Sequence, residues 1–241
     1  MSSEKSFTNN NIDFYLKELA KEYRRLCRKN TPAEIILIGG ASILINYGFR
    51  DATYDMDAII SAPSAIRDAI NCVGEKYALS KGWINTDFIK TESYSPKLIE
   101  FSIYYKTFSN VLCFRTIAAE YLVAMKLMAG RSYKNDLSDI VGIIGEHRAR
   151  GNPLTYEIID RAVCNLYGSW QGISADQKEF LTSMLEQPDY AAIYEYCRTS
   201  ENQSKSMLLD FEQRYPKVLN QDNMNAVLEE LKRKKADKEL E

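Results

Sequence analysis

Two aspartates, Asp55 and Asp57, stand one residue apart in the run Tyr54-Asp55-Met56-Asp57-Ala58-Ile59-Ile60. Side chains alternate along a strand, so both carboxylates would leave one face, about 6.5–7 Å apart at the backbone. Like charges that close inside a fold are unfavourable, and a divalent cation removes the conflict. Mg2+ (or Mn2+) takes one or two carboxylates and completes its shell with substrate phosphates and water. A pair of such ions about 3.5–4 Å apart would align an attacking hydroxyl and a leaving pyrophosphate for in-line displacement.

Upstream lies Ile35-Ile36-Leu37-Ile38-Gly39-Gly40-Ala41-Ser42, with twelve residues between Ser42 and Asp55. The apolar run reads as a buried strand, Glu34 to Ile38, entering a glycine turn. Glycines let the backbone approach a ligand, and the helix that follows presents unpaired N–H groups to a phosphate. Gly39, Gly40 and the Ser42 hydroxyl are therefore candidate nucleotide-binding groups. Ala41 to Tyr47 is expected to be helical and Gly48 can end it. Tyr54 to Ile60 is the second strand, and Ile66, Ala69, Ile70, Val73 and Tyr77 mark an amphipathic helix after it.

A third carboxylate would complete a metal site. Glu100 is the candidate, on a predicted strand Leu98–Tyr105 where it shares a face with Ser102, opposite Ile99, Phe101 and Ile103; Asp87 competes with it. Further along, Lys126 lies one turn after Leu122 and Val123, near the apolar side of a helix that Thr116 would cap and that runs to Ala129. A lysine there either snorkels outward or reaches a polar pocket, where it would neutralise a triphosphate. Asp136 and Asp139 share a face of the next helix. They either orient Lys126 or Arg131 or favour the helix dipole as first-turn acids.

These blocks carry a resemblance. The pattern hydrophobic-Gly-Gly-x-Ser, twelve residues, then Asp-x-Asp resembles the signature of the polymerase-β-like nucleotidyltransferase superfamily. Arg50, Thr53, Asp55 and Asp57 are similar to the Arg-x-Thr-x-Asp-hydrophobic-Asp form of its minimal members, with one extra residue between Arg50 and Thr53. Lys126-Leu127-Met128-Ala129-Gly130-Arg131 and Asp136-Leu137-Ser138-Asp139-Ile140 resemble a block of AbiEii-type nucleotidyltransferase toxins and related bacterial proteins. Trp83-Ile84-Asn85 is similar to a Trp-Leu-Asn-Asp loop of that branch, with Thr86 at the place of its Asp. The resemblance covers about residues 33–145. It implies metal-dependent transfer of a nucleoside monophosphate from an NTP to a hydroxyl, with Asp55, Asp57 and Glu100 as metal ligands and Lys126 as a catalytic cation. Gly39, Gly40, Ser42, Arg131, Asp136 and Asp139 would serve the nucleotide. The acceptor it implies is tRNA or a protein, with a small molecule also open, in a toxin–antitoxin setting with an antitoxin partner. The competing reading is a degenerate relative that binds nucleotide or protein without turnover.

The fold class expected is α/β (α+β), a mixed sheet flanked by helices and followed by an all-helical lobe. The expected divisions are an N-terminal helix within 1–30, a nucleotidyltransferase-like domain over 31–150, and a helical lobe over 151–241 that begins near Gly151-Asn152-Pro153. The basic end of the first helix, Arg24, Arg25, Arg28 and Lys29, suits a helix C-terminus. Lys+Arg 31 against Asp+Glu 33 leaves no global basic field for nucleic acid, so any such contact must be local. Five scattered cysteines with no CxxC pair fit reduced thiols. The one histidine, His147, makes a His-centred metal site improbable. No run is apolar and long enough for a membrane span, and the polar start has no apolar leader, so a cytoplasmic protein is expected. Sixteen tyrosines offer no assignable base-stacking residue.

Overall fold

A computed structural model describes residues 5–27, 31–220 and 223–239. Five strands, β1 (Ala33–Leu37), β2 (Met56–Ser61), β3 (Ile84–Asn85), β4 (Ser102–Phe108) and β5 (Leu112–Ile117), form a mixed sheet in the order β3-β2-β1-β5-β4. The central strand is β1, where Ile35 faces Ile60 of antiparallel β2 on one side and Phe114 of parallel β5 on the other. Ile35, Ile36 and Leu37 are all buried, which a continuous aliphatic run achieves only in a strand covered on both faces. β4 and β5 make an edge hairpin, closed by Ser109 and Asn110, both at positive φ.

The described residues also form nine α-helices: α1 (Ile12–Cys27), α2 (Gly39–Asn46), α3 (Ala65–Tyr77), α4 (Ala119–Ala129), α5 (Asp136–Ala149), α6 (Tyr156–Tyr167), α7 (Ala175–Leu185), α8 (Tyr190–Arg214) and α9 (Met224–Glu239). The apolar stripe of α1, Ile12, Leu16, Leu19, Ala20 and Tyr23, meets Ile66, Ala69, Ile70 and Val73 of α3 and the side chains of Ile35, Leu37, Met56 and Phe114 in one core. Arg24 and Arg25 end α1 as expected, and Arg28 and Lys29 lie outside the described residues. Trp83 closes this core, its indole N–H donating to the Ile70 carbonyl at 3.0 Å.

Three local expectations are corrected. The stretch predicted as a strand from Leu98 starts as a 3-10 turn, Pro96–Ile99, and β4 begins only at Ser102. Thr116 does not cap α4: it is buried in β5 and its hydroxyl donates to Asn46 Oδ1. Within the helical lobe the sequence suggests separate helices at Tyr190–Thr199 and Ser204–Tyr215, but they are one, α8, since nothing between Ser200 and Gln203 breaks a helix and Glu201 is anchored in the interior.

Contacts group Met1–Met125 with Thr155–Trp170, and Lys126–Leu154 with Gln171–Glu241. The first unit takes α6 because Ser95 Oγ donates to the Leu166 carbonyl and Tyr167 Oη to the Ser93 carbonyl, at 2.9 and 2.8 Å. In the second, α5 packs on α8 so closely that a Cβ on Gly145 would lie 2.8 Å from Cβ of Tyr190. Leu208, Leu228 and Tyr133 form a small satellite core there. The α/β architecture with a helical C-terminal region is the fold class expected. Among the described residues no helix is long and apolar enough to cross a membrane.

Candidate active site

The chain leaves β1 at Ile38, whose N–H donates to the Asp57 carbonyl at 2.8 Å, so the glycine turn is laid beside β2. Gly39 has φ +54, a left-handed conformation that costs glycine little. A Cβ built on it would lie 3.9 Å from Asp57 Oδ2. Gly40 is covered more tightly: a Cβ there would stand 2.8 Å from both Arg50 Nη2 and Thr53 Oγ1. α2 starts at this turn with no side chain capping it, so its positive end is turned toward a carboxylate-bearing strand.

The approach to β2 is held from several sides. Thr53 is buried and bridges Phe7 in both directions, N–H to carbonyl, at 2.7 and 2.9 Å. Its hydroxyl donates to the Asp55 carbonyl at 3.0 Å. Met56 N–H donates to the Trp83 carbonyl at 2.9 Å, and the Met56 side chain is fully buried. Asp55 and Asp57 flank this inward residue, Asp55 exposed and Asp57 half-buried. Asp55 precedes the strand rather than lying in it, so only Asp57 of the pair is a strand residue.

Three sequence-derived ligands find other surroundings. Ser42 does not offer its hydroxyl to a phosphate: it is fully buried and Oγ accepts the Ile117 N–H at 2.9 Å, pinning α2 to the end of β5. Glu100 is exposed and lies in the turn before β4. Ile99 and Ile103 are 48% and 45% exposed and Ser102 is buried while Glu100 is exposed, so the alternation expected from Leu98 onward does not hold. Asp87 is exposed as well and pairs with Lys90 at 2.8 Å. Among the described residues no three His, Cys, Asp or Glu side chains stand close enough to share an ion, so Glu100 does not complete a cluster with Asp55 and Asp57. The residue in register beside Asp57 on β3 is Asn85, whose amide accepts from Asp87 N–H and donates to the Gly82 carbonyl.

In the second unit Lys126, Arg131, Asp136 and Asp139 form an ion-paired quartet. Lys126 Nζ lies 2.8 Å from Asp136 Oδ1 and 2.9 Å from Asp139 Oδ2. Arg131 Nε donates to Asp136 Oδ2 at 2.8 Å, and Arg131 Nη2 to Oδ1 at 3.2 Å. Burial alone would push the Asp136 carboxyl up, but the Lys126 and Arg131 charges overcome it and hold the carboxyl far below the usual range. Both aspartates thus orient cations, as one of the two sequence readings had it.

One neighbour of this quartet had no sequence signal. Glu201 of α8 is buried and caps α5 from a distance: its Oε1 accepts Leu137 and Ser138 N–H at 2.8 and 3.2 Å, and Oε2 accepts the Ser138 hydroxyl at 2.5 Å. Desolvation, with the Asp139 charge adding, raises its carboxyl to about 7. Arg50 and Thr53 had a signal, the spacing Arg-x-x-Thr-x-Asp-x-Asp, but no assigned role; their contact with Gly40 supplies one.

The site thus consists of a glycine turn opening a helix, with Asp57 on the adjoining strand and Asp55 just before it, in an α/β domain. The family is given by sequence comparison: residues 15–144, more than half the chain, match the model of a family described as nucleotidyltransferase of unknown function (DUF6036), and the chain belongs to it. No curated protein and no solved structure matches the chain. Membership makes an NTP the substrate class and nucleotidyl transfer the general reaction, and nucleotidyltransferases generally employ a divalent metal.

Proposed function

We propose that the chain transfers a nucleoside monophosphate from an NTP to a hydroxyl on RNA or protein, releasing pyrophosphate, at the turn formed by Gly39, Gly40, Asp55 and Asp57. The observation that carries this reading is the close approach of the Gly39 turn to Asp57, with Oδ2 3.9 Å from the Cβ position. That distance is ordinary contact, so the positive φ of Gly39 is what calls for glycine, and the turn brings the start of α2 beside the Asp57 carboxylate. Two carboxylates, one exposed and one half-buried, fit a hard divalent cation that fills its shell with substrate oxygens. Such an ion, held by Asp55 and Asp57, would supply Lewis-acid stabilisation of the phosphoryl oxygens.

The chain's own part is to bind and orient. The α2 N-terminus and the Gly39-Gly40 backbone hold phosphate oxygens, and the bridge between Phe7 and Thr53 keeps Asp55 from drifting. The acceptor oxygen forms a bond to the α-phosphorus as the bond to the bridging oxygen breaks; pyrophosphate leaves and the acceptor proton goes to solvent. Lys126 and Arg131 are balanced by Asp136 and Asp139 within their own unit. The similarity of this block to AbiEii-type toxins favours tRNA or a protein as acceptor.

Label transfer tests the reading. The protein is incubated with each α-labelled NTP, Mg2+ and a cell extract, alongside Asp55→Ala and Asp57→Ala. Label on an RNA or protein band that requires both aspartates supports it. No aspartate-dependent label with any of the four NTPs, together with retained nucleotide binding, would favour a binding module instead.

A further inference from the structure

α8 and α9 lie in the same unit and meet around Leu208 and Leu228, in the small core that also holds Tyr133. A helix that served only to pack would carry its apolar stripe onward at the same spacing. Here the stripes turn polar. Beyond Leu228, at the fourth and seventh positions, stand Lys232 and Lys235, and before Leu208 on α8 stand Ser204 and Ser200. The two helices border a cleft of about 730 Å³, walled by Ser200, Gln203, Ser206 and Asp210 of α8 and by Lys232 and Lys235 of α9. That volume falls in the range of roughly 300–1,000 Å³ common to small-molecule sites. Ser204 lines the cleft too; it is 1% exposed, and its hydroxyl oxygen has no hydrogen-bond partner among the described residues. Such a group is costly unless something polar meets it.

We propose that this cleft is a second ligand site, and that its ligand is a ribose phosphate. Opposite charges that line one cleft for structural reasons would pair. Among the described residues neither Asp210 nor Lys232 makes an ion pair, whereas the neighbouring Arg233 and Lys234 both reach Glu230. A carboxylate accepts from the hydroxyls of a ribose, and an ammonium is a compact charge for a phosphate. The serine hydroxyls and the Gln203 amide both donate and accept, as a sugar with a phosphate ester requires. A bare anion would be repelled by Asp210, and a neutral sugar would leave the lysines unused. The same chemistry is offered by a free sugar phosphate and by the backbone of an RNA strand. The cleft lies outside residues 15–144, the span of the family match, and the proposal does not depend on the transfer reaction.

The test titrates ribose 5-phosphate into the full chain labelled with 13C-methyl methionine, with EDTA present so that no divalent ion serves Asp55 and Asp57. Met207 lines the cleft, and its methyl signal, assigned with Met207→Leu, is the readout. In the parent and in Asp57→Ala the signal is expected to move to saturation with equal affinity. Lys232→Gln and Asp210→Ala should each weaken binding roughly tenfold, both being exposed positions where a folded variant is expected. Inorganic phosphate should bind the parent more weakly and lose nothing in Asp210→Ala. No saturable shift of Met207 in the parent overturns the proposal, whatever label transfer reports for Asp55 and Asp57. A shift lost in Asp57→Ala, or one that Lys232→Gln and Asp210→Ala leave intact, overturns it as well. Inorganic phosphate binding as tightly as ribose 5-phosphate overturns the sugar assignment. A ten-nucleotide single-stranded RNA separates the two sources. Binding roughly tenfold tighter than ribose 5-phosphate, and weakened by salt, supports the site with an RNA strand as its ligand. Affinity no higher supports it with a free sugar phosphate.

Discussion

Gly39 and Asp57 meet across the first crossover of the sheet, with Asp57 Oδ2 3.9 Å from the Cβ position of Gly39 and the Ile38 N–H bonded to the Asp57 carbonyl. The backbone bond lays the turn beside the strand, and the positive φ of Gly39 makes the turn possible. The neighbouring glycine has a different partner, Arg50, so the two halves of one dipeptide face opposite charges.

Gly40→Ala separates these roles. The backbone at Gly40 suits alanine, but the new methyl meets Arg50 and Thr53. The Arg50 tip can swing away while buried Thr53 cannot, so the expected cost is about 1–3 kcal/mol of stability from overpacking. NTP affinity should fall roughly tenfold, about 1.4 kcal/mol of binding. Denaturant melts and calorimetry read the two effects; unchanged affinity in a folded variant would remove Gly40 from the site.

Ser42→Ala should behave in the reverse way. It leaves the buried Ile117 N–H without an acceptor, which costs about 1–3 kcal/mol. NTP affinity at 25 °C should match the parent within twofold or so once folding is allowed for. A large drop in affinity without loss of stability would return the hydroxyl to the phosphates.

The quartet in the second unit is expected to behave as a coupled unit. Lys126→Met leaves Asp136 with Arg131 and takes the ammonium from Asp139, for an expected loss of about 3–5 kcal/mol. Asp136→Asn should cost a comparable amount, and the double variant less than the sum of the two. Additive losses in urea melts would show that the groups act independently.

Glu201 gives stability a pH dependence of a stated sign. Its carboxyl is raised from an ordinary 4.5 to about 7 in the fold, so the folded state prefers it protonated. The contribution is fully present below about pH 4.5 and is lost as pH rises to about 7, on the order of 3 kcal/mol in all. Asp136 acts oppositely, its contribution failing only in strong acid, so it leaves the neutral range flat. Glu201→Gln keeps an acceptor for Leu137 and Ser138 N–H and can donate to the Ser138 oxygen. Melts between pH 4.5 and 8 should slope for the parent and be flatter for the variant; equal slopes would place the titration elsewhere.

How much of this was legible in the chain follows from the range of the interactions. Asp55, Met56 and Asp57 alternate as any strand must, and the Ile35–Ile38 run ending in two glycines announces a buried strand and a turn, because those patterns are set by backbone geometry over a few residues. Lys126 and Asp136 are ten residues apart on adjacent helices, still near enough for spacing to suggest their pairing. Ser42 and Ile117 are 75 residues apart, and Glu201 and Ser138 are 63 apart. No local pattern says which buried N–H a hydroxyl will meet, or which helix end a distant glutamate will cap. Glu100 failed for the same reason: alternation fixes which residues share a face only once the chain is a strand, and the turn through Pro96–Ile99 delays that strand and turns Ile99 and Ile103 outward. By itself the sequence determined the two carboxylates, the glycine turn and the helices and strands that carry them. Only tertiary packing decided that Arg50 returns to Gly40, that Ser42 is interior, and that Glu100 lies exposed in a turn before β4, because burial and partner choice belong to the whole fold.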